Sequence, residues 1–196
     1  MGKRVFDLLA STAGLILLGP LLLLLALWIK LGSPGPIFYR GLRAGRNGKP
    51  FRIFKFRTMV VNADKIGGPS SAADDPRITR IGGFLRRYKL DELPQLLNVF
   101  KGEMSFVGPR PEVLEEVNGY TDEEKRLLSV RPGITDWASI KFRDEGEILR
   151  GSADPHQTYR EKIRPEKIRL GLEYVEKHSF WTDCSILLRT MKVIFE

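Results

Sequence analysis

The stretch VFDLLASTAGLILLGPLLLLLALWI, residues 5–29, decides the architecture: its one charge is Asp7, and it holds Leu21 to Leu25 as an unbroken run. About 20 helical residues suffice to cross a bilayer, so the stretch is long enough. Two features argue against a simple crossing. Gly19-Pro20 falls in the middle, where proline removes a backbone hydrogen bond and clashes with the preceding turn, predicting a break or sharp bend. Positive charge flanks both ends, with Lys3 and Arg4 on one side and Lys30, Arg40, Arg43 and Arg46 on the other. The positive-inside rule then keeps both ends in the cytoplasm. A helix that enters, turns at Gly19-Pro20 and leaves by the same face satisfies both features; an ordinary spanning helix is the competing reading. The run passes straight into Trp28-Ile29-Lys30 with no small-residue cleavage site, which speaks against a signal peptide.

Working outward, the 196 residues suffice for one proper core besides this element. The predicted organisation is a re-entrant membrane helix over 1–32, broken near Gly19-Pro20, and a compact domain over 33–196, mostly α with a small β-hairpin and amphipathic interfacial helices. Charge is uneven: Lys3 to Arg57 contains ten Lys or Arg against one acid, a net +9, and since the whole chain totals +8 the remaining residues sum to −1. A basic segment beside an apolar one reads as contact with anionic lipid headgroups, worth about 1 kcal/mol per charge. A solubilising or nucleic-acid-binding patch is the alternative reading of such charge; beside an apolar stretch the lipid reading is preferred, and no nucleic-acid partner is expected. Cys184 is the single cysteine, so no internal disulfide can form.

Beyond the turn cluster Ser33-Pro34-Gly35-Pro36, two β-prone runs, Ile37 to Tyr39 and Phe51 to Arg57, enclose Arg46-Asn47-Gly48-Lys49. Asn-Gly between such runs signals a hairpin. Phe51, Ile53 and Lys55 fall on one face and Arg52, Phe54 and Phe56 on the other, an imperfect apolar alternation. Residues 62–83 read as a solvated loop with a helix cap. Helical spacing returns from Phe84 to Phe100, interrupted where Pro94 demands a restart.

At that restart stands Leu90-Asp91-Glu92-Leu93-Pro94-Gln95. Proline is tolerated in the first turn of a helix, so Asp91 and Glu92 are expected at or just before a positive helix end. A carboxylate there stays ionised and can serve as nucleophile or metal ligand. Upstream, Arg86, Arg87 and Lys89 are cations of the kind that spread charge on a diphosphate as a P–O bond breaks. Downstream, Gly108-Pro109-Arg110-Pro111 presents an arginine from a backbone that two prolines restrain, as holding a phosphate in line requires.

The acid pair, the Pro-Arg-Pro segment at this spacing and the apolar, basic amino terminus together resemble the small bacterial sugar transferases, the monotopic phosphoglycosyl transferases, over nearly the whole chain. Phe56-Arg57-Thr58-Met59 and Arg131-Pro132-Gly133-Ile134-Thr135 match further segments of that family. The resemblance implies an enzyme at the cytoplasmic face of a bacterial inner membrane. Such an enzyme moves a sugar-1-phosphate from a UDP-sugar donor to a polyprenol phosphate acceptor. It also implies the re-entrant hairpin, Asp91 as nucleophile and Mg²⁺ ligand, Glu92 as a supporting acid that orients the metal or handles a proton, and Arg86, Arg110 and Arg143 as phosphate contacts. Asp136 and Lys141 depart from the family pattern, which points to 136–145 for donor specificity. The sugar and the oligomeric state stay open. The rival from another class is a non-catalytic peripheral protein on anionic membranes, for which Asp91 is replaceable.

The rest of the chain reads as packing. His156 and His178 lack partners at metal spacing. Pro165 opens a helix with Ile168, Leu172 and Val175 as its core stripe, and Trp181, Cys184, Leu187 or Leu188, Met191, Ile194 and Phe195 form the stripe of a last helix. Trp181 is also a candidate for lipid contact.

Overall fold

A computed structural model describes residues 2–68 and 70–195, and the side chains of 194 and 195 lie outside the described set. The chain is mostly helical with small two-stranded sheets. Helix α1, Gly2–Gly32, leads into four short strands, β1 (Phe38–Tyr39), β2 (Leu42–Ala44), β3 (Pro50–Arg52) and β4 (Lys55–Phe56). After α2 (Ala63–Ile66) and α3 (Arg80–Arg87), a 3₁₀ turn over Leu90–Gln95 runs into α4 (Leu96–Lys101) and β5 (Ser105–Val107). Then come α5 (Leu114–Asn118), β6 (Gly133–Thr135), α6 (Trp137–Lys141), α7 (Glu145–Ile148), α8 (Pro155–Thr158), α9 (Arg164–Lys177) and α10 (Phe180–Phe195).

Helix α1 does not break where the sequence predicts: its helical hydrogen bonding runs through Gly19-Pro20 from Gly2 to Gly32. Proline costs one N–H bond and crowds the preceding turn. The leucine-rich turns on both sides are strong helix formers and carry the helix across. Ile16, Leu17 and Leu23 are each at least 73% exposed, and the helix is long and apolar enough to enter a membrane. Both ends nevertheless pack on the same body. Near the start, Asp7 is buried and accepts hydrogen bonds from Ser105 Oγ and Phe106 N, each 3.1 Å. Arg4 donates to Val99 O at 2.6 Å and Phe100 O at 2.8 Å, satisfying carbonyls at the end of α4. Near the finish, Leu25 and Ile29 are buried with Phe56 and Leu85, and Arg57 donates to Ser33 O and Oγ just past the helix.

The hairpin forms as read from Asn47-Gly48, both at positive φ (57° and 73°). Its antiparallel ladder pairs Leu42 with Arg52, Arg43 with Phe51 and Ala44 with Pro50, and resumes as Phe38 with Phe56 and Tyr39 with Lys55. Phe51 and Ile53 join Val99 and Met104 in a core under the hairpin. The loop after β4 is pinned by a buried Arg77, paired with Asp75 at 2.7 Å and donating to Ala63 O and Gly68 O. Thr79 caps α3 by accepting from Gly82 N at 2.9 Å.

At the far side, β5 and β6 pair in parallel, Ser105 with Gly133 and Val107 with Thr135. Helices α9 and α10 cover them, with Val107, Tyr174 and Ile186 as a buried cluster. Pro165 stands in the first turn of α9, but the chain is already helical before it, since α8 leads into α9 through a π-helical turn over Tyr159–Ile163. The most buried residues of α9 are Gly171 and Tyr174, with Ile168, Leu172 and Val175 half-buried around them. The stripe read for α10 is largely its outer face: Trp181 is 77%, Leu188 72% and Met191 53% exposed, while Ile186 is fully buried. Ile194 and Phe195 of that stripe have side chains outside the described set. Asp183 sets this rotation, because it faces inward to pair with Lys3 and accepts from Tyr174 Oη at 2.7 Å.

Candidate active site

Asp91 and Glu92 sit in the 3₁₀ turn between α3 and α4, not in the first turn of an α-helix. Pro94 lies inside that turn, where its fixed φ and missing N–H are tolerated, and Lys89 at φ 55° starts it. Strand β4 packs on the turn and delivers Lys55, whose Nζ stands 3.3 Å from the Asp91 carboxylate and 2.9 Å from Glu92. Asp91 is 5% exposed, so the lysine supplies the positive potential that sequence reasoning assigned to a helix end.

Arg110 grips Glu92 with two guanidinium nitrogens, at 2.5 and 3.3 Å, the forked geometry that a lysine cannot reproduce. Burial alone would raise the Glu92 pKa; Arg110 and Lys55 more than offset it and hold the carboxyl well below the usual range. Glu92 correspondingly raises Arg110. The Pro-Arg-Pro segment is fixed by more than its prolines. Gly108 N donates to Thr135 O at 3.1 Å, Gly133 N to Pro109 O at 3.0 Å, and Arg110 N to the Asp136 carboxylate at 3.3 Å. Asp136 is 3% exposed and also caps α6 by accepting from Ser139 N at 2.6 Å. Of the two departures from the family pattern, Asp136 lines the cleft and holds backbone amides, and Lys141 pairs with Glu166 on the surface at 2.6 Å.

Arg86, near the end of α3, donates to Thr58 Oγ1 at 2.9 Å and Ser71 Oγ at 2.7 Å. Burial pushes its pKa down and the Asp91 charge pulls it back up. Arg143 follows α6, and its carbonyl accepts from Lys89 Nζ at 2.6 Å. Asp91, Glu92, Arg86, Arg110, Arg143 and Lys55 all line one cleft of about 1640 Å³. Gly19 and Pro20 lie away from it on α1. His156, held between Ser70 and Glu116, lines the cleft, and His178 is an exposed residue bonded to Val175 O.

Three contributors were not read as site residues from the sequence: Lys55, Thr58 and Ser71. Lys55 left a signal, because it shares a strand face with Phe51 and Ile53, where a cation is out of place unless acids meet it. No group of three or more metal-ligating side chains occurs among the described residues. Mg²⁺ commonly binds through one or two carboxylates plus substrate phosphates, and Asp91 meets that smaller requirement.

The sequence profile described as bacterial sugar transferase matches residues 1–196. The chain belongs to that family. Among bacterial sugar transferases it is 39% identical to the UDP-glucose:undecaprenyl-phosphate glucose-1-phosphate transferase of Escherichia coli K12, over 96% of this chain and 39% of that protein. It is 40% identical to the protein of the same name in Caulobacter vibrioides, over 96% of this chain and 68% of that one. It is 36% identical to the UDP-N-acetylgalactosamine-undecaprenyl-phosphate N-acetylgalactosaminephosphotransferase of Aeromonas hydrophila, over 98% and 43%. The chain therefore spans less than half the length of two of these three sugar transferases.

Proposed function

We propose that this chain transfers a sugar-1-phosphate from a UDP-sugar to a polyprenol phosphate, releasing UMP, at the cytoplasmic face of a bacterial inner membrane. The observation that carries this reading is the buried Asp91 beside Lys55 and Glu92, at the wall of a cleft that reaches an exposed apolar helix. A charged, soluble nucleotide and a lipid phosphate must meet at headgroup depth, and such a cleft is where they can. The names of the relatives, two for glucose and one for N-acetylgalactosamine, agree on the acceptor and differ on the sugar.

Asp91 is the nucleophile. Its carboxylate oxygen attacks the phosphorus that bears the sugar, the bond to the bridging oxygen breaks, and UMP leaves with the electron pair. A phosphate oxygen of the lipid then attacks the same phosphorus and the Asp91 carboxylate is released. Two steps let one site serve two dissimilar substrates in turn. Lys55 faces the Asp91 carboxylate, and Arg86, Arg110 and Arg143 hold the phosphates. Glu92, clamped and deprotonated, fixes Arg110 and Lys55, a role better suited to its lowered pKa than carrying a proton. Mg²⁺ held at Asp91 and the diphosphate would neutralise charge on the leaving group.

Helix α1 re-enters the membrane rather than crossing it. Supporting this, Arg4 and Asp7 at one end and Ile29 and Ser33 at the other touch the same body, so neither end is available to the far side. Asp91→Asn protein, given UDP-sugar and lipid acceptor, should release no UMP above background while keeping its thermal midpoint. Release at the parental rate removes the proposal.

A further inference from the structure

Gln95 is 1% exposed, and its side-chain Nε2 is buried without a hydrogen-bond partner. Buried amide donors are almost always paired, so an unpaired one needs an explanation. It stands in the same 3₁₀ turn as Asp91, one residue before the start of α4, and lines the same cleft. Its neighbour Leu96 abuts the membrane helix, with Cδ1 only 3.2 Å from where a Cβ on Gly14 would sit.

The lining of this cleft is of two kinds. It includes Lys55 and the arginines, and also Gly14 and Leu18 of α1, Phe106 of β5, Ile134 of β6, and Leu187 and Met191 of α10. A soluble nucleotide gains nothing from the apolar share of that lining. A long hydrocarbon chain ending in a phosphate makes use of both. Helix α1, which contributes Gly14 and Leu18, also carries the exposed Ile16, Leu17 and Leu23, along which such a chain would come.

We propose that the side-chain amide of Gln95 donates a hydrogen bond to the phosphate of the lipid acceptor, whose chain lies against the apolar lining that α1 and α10 give the cleft. This rests on the reading of the cleft as a transfer site and assigns its second substrate a place. A neutral amide suits the task, because it orients a phosphate oxygen toward the phosphorus on Asp91 without adding a charge that would hold the product.

The test uses the full chain in lipid nanodiscs with Gln95→Met, which keeps volume and removes the donor, and Gln95→Asn, which keeps a shorter one. Three quantities are read: the burst of UMP with donor alone, the KM for polyprenyl phosphate, and equilibrium binding of polyprenyl phosphate without donor. For Gln95→Met the expected result is an unchanged burst and donor KM, about a tenfold weaker acceptor KM and binding, and a thermal midpoint no lower than the parent; Gln95→Asn should fall between. An acceptor KM and binding constant equal to the parent's, or a burst that falls as far as acceptor use, overturns the proposal. Because lipid binding is measured without donor, a protein that releases no UMP at all would sink the transfer reading and still test Gln95.

Discussion

Replacing Gly133 by alanine should cripple the site from a distance. A Cβ at Gly133 would stand 2.1 Å from Gly108 N, 2.4 Å from Gly108 O and 2.7 Å from Val107 C, all of them backbone atoms, where ordinary contact begins at 3.4 Å. Strands β5 and β6 must therefore separate by more than about an ångström, since no side chain can yield in their place. The bonds Gly108 N to Thr135 O and Gly133 N to Pro109 O, now 3.1 and 3.0 Å, would stretch past hydrogen-bonding range, costing about 1–3 kcal/mol together. Arg110, two residues beyond Gly108, moves with the strand and loses its two-pronged hold on Glu92. A misplacement of about 1 Å is enough to cost about a hundredfold in rate. The assay is UMP release from a UDP-sugar with lipid acceptor, paired with a thermal melt in the same nanodiscs. Gly119→Ala is the control, because its Cβ would meet nothing closer than 3.5 Å. A Gly133→Ala protein working within threefold of the parent would refute this reasoning.

Three other outcomes are expected. Asp7→Ala leaves Ser105 Oγ and Phe106 N without their buried acceptor, lowering stability by about 2–4 kcal/mol; an unmoved melting midpoint in detergent contradicts this. Arg110→Lys keeps the charge and loses the fork, so kcat/KM should drop about tenfold while stability falls by about 1 kcal/mol or less, the arginine side chain being 36% exposed; equal activity would show that charge alone suffices. Because the folded-state pKa of Glu92 lies well below 4.5, its ion pairs are fully present above that value and are lost only as pH falls through the lower folded value. The stability difference between parent and Glu92→Gln should stay constant from about pH 7 to 5 and shrink below about 4.5, whereas shrinkage beginning near neutrality would contradict the lowered pKa.

Local rules made some elements legible and hid others. Asn47-Gly48 specifies a turn within four residues, and the hairpin follows in the expected place. Pro165 falls in the first turn of α9, but the π-helical turn that joins it to α8 left no local mark. The acid pair, Arg86, Arg110 and Arg143 were legible as residues, and the fold gathers them around one cleft. Lys55 was not, because only the packing of β4 against the Asp91 turn, 36 positions later, reveals what an inward lysine is for. The outward stripe of α10 was misread for a similar reason: its rotation is set by Asp183 meeting Lys3, a contact between the two ends of the chain. At Pro20 the leucine-rich turns on either side keep the helical hydrogen bonding continuous where a proline read locally predicts a break.

The central claim is that Asp91 carries the sugar phosphate between donor and acceptor. Its most direct test is mass spectrometry of the intact protein and its peptides after incubation with a UDP-sugar and no lipid acceptor. The account predicts a phosphosugar adduct on the peptide containing Asp91, discharged when polyprenyl phosphate is added. An active preparation that releases UMP into product yet carries no adduct on Asp91 at any time would contradict it.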